Sequence, residues 1–236
     1  MNATMVTYSA DCVRFRPASD QSLLIYFGQQ ISLEFHHRVA KLLRLLESEP
    51  VAGIRNLHPG YCSLLVKFDG LKVSHAELEE ILRSYLDRLE DLCFSEPGQM
   101  EIPVCYGGEY GPDLSEVGAM HGLSPAQVIE LHASATYIVY FLGFVPGFAY
   151  LGGLPEALVT PRHTTPRPRV LAGSVGIAGS QTGVYPFATP GGWRLLGRTP
   201  INMFRRDRAD MSFLSIGNRV RFIPISPERF ASLENA

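Results

Sequence analysis

Two spacings alternate along the first hundred residues. VRFRPA (13–18) and SLLIYFG (22–28) carry the pattern of two paired strands. SLEFHHRVAKLLRLLES then places Phe35, Val39, Leu42, Leu43 and Leu46 on one face at helical spacing. Strand spacing returns at 51–57 and 61–68 across the turn-like HPGY. A second helix opens at Ser74, where Ser-x-x-Glu to Glu77 makes a capping box. Its apolar face is Leu78, Ile81, Leu82, Tyr85, Leu86 and Leu89. The order ββαββα predicts a two-layer α+β sandwich over 1–97, ending in SEPGQ (95–99) as a linker.

The pattern changes over 98–236. IPVCYGG reads as a strand, followed by short helices at 113–121 and 124–133. Ser124 caps the second of these, with Pro125 in its first turn and Gln127 closing a capping box. After TYIVYFLGF, helical spacing disappears until the last ten residues. RVLAG, VGIAG, TGVYPF, WRLLG, INMFR and RVRFIPI are short β-prone runs between glycines and prolines, the pattern of a small β-barrel or sandwich with long loops. The fold class expected is therefore α+β, with a sandwich first and a mostly-β domain second.

Composition narrows the partners. A net charge of −2 gives no global basic excess for nucleic acid or an acidic membrane, and no apolar run reaches the length that spans a bilayer. MNATMVTYSADCVRF lacks a basic stretch followed by an apolar core, so no signal peptide is expected and the location expected is cytoplasmic. Cys12, Cys62, Cys93 and Cys105 are scattered without a CxxC pair, which suits reduced thiols better than zinc or a disulfide framework.

The basic residues are eighteen Arg against three Lys. Between Ala157 and Arg206 lie Arg162, Arg167, Arg169, Arg194, Arg198, Arg205 and Arg206, with no Asp, Glu or Lys. This positive potential must be met by acids from elsewhere in the chain, such as the first domain, by an acidic partner, or by a bound anion. GSVGIAGSQTG (173–183) offers backbone that can approach a ligand closely, or a set of tight β-turns. It is neither a phosphate loop nor a dinucleotide fingerprint. FLGFVPGFAYLGGLP (141–155) crowds Phe141, Phe144, Phe148 and Tyr150 into core, pocket wall or interface, and Trp193 in TPGGWRLLGRTP faces the same choice. Among the histidines, His36, His37 and His75 are expected to be solvated and no His-based metal motif occurs; His163 is the acid/base candidate.

The run from Phe141 to Pro200 resembles the signature of the family of 5-oxoprolinase B subunits. Its relatives include allophanate hydrolase subunit 1, carboxyltransferase-domain subdomain C/D proteins and the sporulation kinase A inhibitor. IPVCYGGEYGPDL, HGLSPAQVIELH and RVRFIPIS extend the resemblance over nearly the whole chain. It implies a cyclophilin-like barrel for the second domain. It also implies a component that works with a larger carboxyltransferase-like subunit of the C type and a barrel-type A subunit, converting 5-oxo-L-proline to L-glutamate with ATP and Mg2+. A role as histidine-kinase inhibitor, or as a carboxyltransferase half taking carboxybiotin from another protein, belongs to the same family. Phosphorylating a lactam oxygen needs clustered positive charge. Under this resemblance Arg162, Arg167, Arg169 and Arg198 are the charge-clamp candidates, Arg167 and Arg169 with His163 as the catalytic set. Gly173, Ser174, Gln181 and Tyr185 are their loop companions.

Overall fold

The computed structural model describes residues 13–89, 98–207 and 210–235. The stretch expected to lack a signal peptide, most of the 95–99 linker, Cys12 and Cys93 lie outside them. The chain divides into two compact units, Met1–Ser95 and Glu96–Ala236.

The first unit follows the expected order. β1 (Arg14–Ser19), β2 (Ser22–Tyr26), β3 (Ile54–Pro59) and β4 (Ser63–Phe68) form one antiparallel sheet in the order β1-β2-β4-β3. α1 (Leu33–Ser48) and α2 (His75–Leu86) pack beside it. α1 starts where Ser32 accepts a hydrogen bond from the Phe35 amide, and α2 starts at the expected reciprocal box between Ser74 and Glu77. Leu78, Leu82 and Leu86 of α2 are buried, as is Leu89 beyond it. The face of α1 differs from expectation: Leu45 and His36 are buried as well, while Phe35 is only half-buried. His36 is buried beside Val39 and Leu43, where a solvated role was expected, and burial with the neighbouring His37 and Arg44 charges pushes its pKa down to about 4. His75 is not free in solvent either, since its Nε2 lies 3.0 Å from the Ser19 carbonyl and its ring meets Phe68 edge-on.

The second unit is built on β5 (Gln99–Tyr106), β6 (Tyr137–Leu142), β7 (Ala149–Gly152), β9 (Ser174–Ala178), β10 (Gln181–Val184), β12 (Arg194–Arg198) and β13 (Arg219–Pro224). These seven strands close into a barrel in the order β10-β7-β6-β13-β5-β12-β9. β5 and β13 pair in parallel and the remaining neighbours are antiparallel. Closure leaves these strands no free edge. A side ribbon pairs β8 (Arg167–Val170) with β11 (Thr189–Gly191). α3 (Leu114–His121) and α4 (Pro125–Ser134) contribute Leu114, Val117 and Val128 to the core formed with Val104, Val139, Val175 and Phe222. α5 (Pro227–Glu234) ends the described chain. INMFR forms no strand: the Asn202 side chain accepts from the Phe204 amide, and only an isolated bridge, Phe204 to Ser212, remains. Among the described residues no helix is long and apolar enough to cross a membrane. Cys62 and Cys105 are free thiols whose pKa burial pushes up.

Inside the barrel, His132 is fully enclosed and stacks on Phe222 at 4.6 Å. Thr182 donates its one hydroxyl proton to the Gly176 carbonyl at 3.0 Å. The Thr182 oxygen can then only accept, so His132 Nε2 donates to it at 2.9 Å and Nδ1 accepts from the Tyr106 hydroxyl at 2.7 Å. Burial holds the imidazole neutral, its pKa pushed down to about 3.

Both depressed histidines act on stability in one direction. The unfolded chain takes up these protons near pH 6.5, whereas the folded chain resists until about 4 for His36 and about 3 for His132. Their contribution is therefore complete above pH ~6.5 and is lost as pH falls, on the order of 1 kcal/mol per pH unit for each. Urea unfolding at about pH 7.5, 6 and 4.5 should show a monotonic decline. A profile flat down to about pH 4.5 would rule out neutral, buried imidazoles.

Candidate functional site

The sequence picks out no role for Asp113, yet three parts of the second unit meet on its carboxylate. Asp113 stands at the N-cap of α3, where an aspartate ordinarily accepts from its own helix's amides. Here it makes no such cap bond. Oδ1 accepts instead from Arg167 Nη2 at 2.5 Å, and Oδ2 accepts from the Leu195 amide at 2.7 Å and His163 Nε2 at 3.2 Å. The Asp113 amide in turn donates to the Leu195 carbonyl at 3.0 Å. One side chain thereby ties the start of α3, strand β12 and the 162–167 segment together. Burial alone would raise its pKa, but the hydrogen bonds from Arg167, the Leu195 amide and His163 outweigh it, and the carboxyl is held below its ordinary range. An ionised carboxylate only accepts, so His163 Nε2 carries the shared proton.

The acid-free arginine window is largely neutralised by acids that lie outside the window in the same unit. Arg167 pairs with Asp113, Arg194 Nη1 lies 2.5 Å from Glu116, Arg198 lies 3.5 Å from Glu234, and Arg205 pairs with Asp207 at 2.7 Å. The Arg194 contact is a charge contact without hydrogen-bond alignment at Nη1. Arg162, Arg169 and Arg206 make no ion pair among the described residues. Asp113, Glu116 and His163 bring ligand atoms within 4.8 Å of one another, the spacing of a metal site, but the guanidiniums of Arg167 and Arg194 already balance both carboxylates.

Immediately beside this cluster is a cleft of about 280 Å³. Its walls are Phe144, Phe148, Tyr150, Tyr185 and Trp193; Arg162 stands at one side, with Pro166, Pro190, Gly191 and Gly192 completing the lining. The His163 amide donates to the Gly192 carbonyl at 2.8 Å, so the Asp113 cluster is one step from the cleft. The rings meet edge to face: Phe148 lies 5.4 Å from both Trp193 and Tyr185, and 5.0 Å from Tyr150. Of the readings left open for the aromatic loop, core and pocket wall both hold. Phe148, Tyr185 and Trp193 are buried, while Phe144 is 58% exposed at the mouth.

The glycine run turns out to seat a ring. Gly176 and Gly183 face each other across β9 and β10. A Cβ on Gly176 would lie 3.2 Å from Trp193 Cβ, and one on Gly183 would lie 3.2 Å from Trp193 Cζ3 and 3.1 Å from Phe148 Cζ. The missing side chains leave a flat bed on which the indole rests. Gly173 has φ +80, and a side chain there would strike the Thr199 carbonyl.

Of the nine residues singled out, Arg162 and Tyr185 line the cleft, and His163 and Arg167 meet on Asp113 beside it. The others do not line it. Arg169 is exposed, and Arg198 donates to the Ala172 carbonyl and lies over the Phe230 ring. Gly173, Ser174 and Gln181 belong to the barrel wall and its turns, the latter two buried.

The family model described as carboxyltransferase domain, subdomain C and D, matches residues 13–214. The chain is 53% identical over 212 residues to the B subunit of 5-oxoprolinase from Haemophilus influenzae, covering 88% of this chain and 95% of that one. It is 40% identical over 221 residues to the B subunit of 5-oxoprolinase from Bacillus subtilis, covering 89% and 92%. Among solved structures, TTHA0988 matches with a TM-score of 0.78 and 36% identity, over 87% of this chain and 40% of that one.

Two substitutions separate the arginines by role. Asp113→Asn leaves Arg167, itself mostly covered, without its counter-charge and should cost about 2–4 kcal/mol of unfolding free energy. Arg169→Ala, on an exposed side chain, should stay within about 0.5 kcal/mol. Urea titration of both variants measures this, and equal effects would overturn the ordering. Gly183→Ala should overpack the indole bed, cost about 1–3 kcal/mol and shift tryptophan emission.

Proposed function

Because the chain belongs to the carboxyltransferase subdomain C and D family, and two relatives that it covers almost end to end are B subunits of 5-oxoprolinase, we propose that it is the B-type subunit of such an enzyme. The assembled complex would open 5-oxo-L-proline to L-glutamate at the expense of ATP. The γ-phosphoryl would pass to the lactam carbonyl oxygen, a first water would add to that carbon, the C–N bond would break to release the amine and leave an acyl phosphate, and a second water would hydrolyse that acyl phosphate to the carboxylate and free phosphate. The observation carrying this reading is the 53% identity to a B subunit over 88% of the chain.

The charge balance supports a site that is incomplete in this chain. A magnesium-bound triphosphate calls for several uncommitted cations held together. Arg167, Arg194, Arg198 and Arg205 face acids within the unit, and the glycine run seats Trp193. ATP and its Mg2+ would therefore be held mainly by the partners, a larger carboxyltransferase-like subunit and a barrel-type A subunit.

The test is 5-oxoproline-dependent ATP hydrolysis by this chain co-purified with those two partners, and by the chain alone. Turnover in the complex and none from the isolated chain is expected. A complete complex without substrate-dependent hydrolysis would refute the assignment.

A further inference from the structure

Among the arginines of the window that face no acid, one stands at the aromatic cleft. Arg162 is exposed, with its guanidinium carbon 6.0 Å from the centre of the Trp193 ring. Its charge also bears on Tyr150 and Tyr185, whose hydroxyls are otherwise raised in pKa by burial. Burial raises the Tyr185 pKa although the nearby Trp193 amide lowers it, so the hydroxyl keeps a proton it can donate. The cleft thus aims a permanent positive charge and a neutral donor at one region, beside two apolar ring faces.

The lip of the cleft carries backbone strain. Phe144 has φ +67, and the Val145 amide donates back to the Gly143 carbonyl at 2.8 Å, closing a γ-turn around it. A bulky residue held there costs about 1–3 kcal/mol, the kind of strain that gathers at ligand sites. It presents the Phe144 ring at the mouth, 5.5 Å from Phe148 and edge-on to it.

A ligand matching these features is small, flat on one face and negatively charged at one edge. A five-membered lactam carboxylate has all three properties: its planar amide lies against a ring, and its carboxylate accepts from a guanidinium and a hydroxyl. Resting on the function read above, we propose that this cleft is the binding site for the lactam substrate, with Arg162 and Tyr185 holding the carboxylate and the touching rings of Trp193 and Phe148 forming the apolar wall beside the lactam ring.

Trp193 is the chain's single tryptophan, so tryptophan emission excited where tyrosine does not absorb reports on this cleft. Titration with 5-oxo-L-proline should change it saturably. 2-Pyrrolidinone, which lacks the carboxylate, should bind at least about tenfold more weakly. Arg162→Met should weaken 5-oxo-L-proline by a similar factor and leave 2-pyrrolidinone unchanged, and Arg162→Lys should recover part of the loss. Because Arg162 is exposed, neither replacement disturbs the core. Emission indifferent to 5-oxo-L-proline, or equal affinity in the Met variant, would overturn the site. So would emission that responds only when a partner chain is added, which would make the cleft an interface. The two readings fail separately. A complex that turns over 5-oxoproline with KM unaffected by Arg162→Met keeps the function and loses the site. A chain that binds 5-oxo-L-proline within an inactive complete complex keeps the site and loses the function.

Discussion

The Asp113 carboxylate is the interaction on which the cleft end of the barrel depends. It is nearly excluded from solvent and accepts from a guanidinium and an imidazole of the 162–167 segment and from a backbone amide of β12. Removing water from a carboxylate is costly unless its lone pairs are filled, and three donors fill them here. The same contacts fix where the 162–167 segment runs, and through the bond from His163 to Gly192 they fix one side of the aromatic cleft. The helix start gives up an intrahelical cap so that a tertiary junction gains an anchor.

The arginine window looks different from this position. Its lack of acids is a fact of sequence order, since four of its seven guanidiniums meet carboxylates that lie outside the window. What distinguishes Arg162 is the company it keeps: aromatic faces and a hydroxyl in place of an acid. A guanidinium over an indole keeps its full charge while its flat face is shielded, which suits it to exchange water for a carboxylate.

Element order is legible because it rests on local periodicity. The ββαββα unit, both capping boxes, α3, α4 and most barrel strands follow from spacing and turn chemistry. His36 escapes that reading because a histidine at a core-facing helical position looks like any other surface polar residue until its neighbours are known. INMFR escapes it because one Asn202 side chain competes successfully with sheet pairing. At the site, residue types near position 162 draw attention to Arg162 and Tyr185, but Asp113 lies about fifty positions earlier and reads as an ordinary helix start. GPDL falls within the stretch that carries the family resemblance, with no role attached to its aspartate. Only the fold brings Asp113 against Arg167. The glycine run stays open between a ligand cradle and tight turns because residue order cannot say whether the space left by a missing Cβ is filled by a ligand or by the protein's own tryptophan.

The chain of donors inside the barrel has a further consequence. Tyr106, His132 and Thr182 pass hydrogen bonds in one direction and end on the Gly176 carbonyl, a group with no proton to give. A closed ring of hydroxyls has two equivalent proton orders and keeps the residual entropy of choosing between them. This line has a single order, because the terminal acceptor forbids its reverse. The polar thread through the barrel is thus a fixed dipole of known sense, and the interior it crosses has one electrostatic ground state.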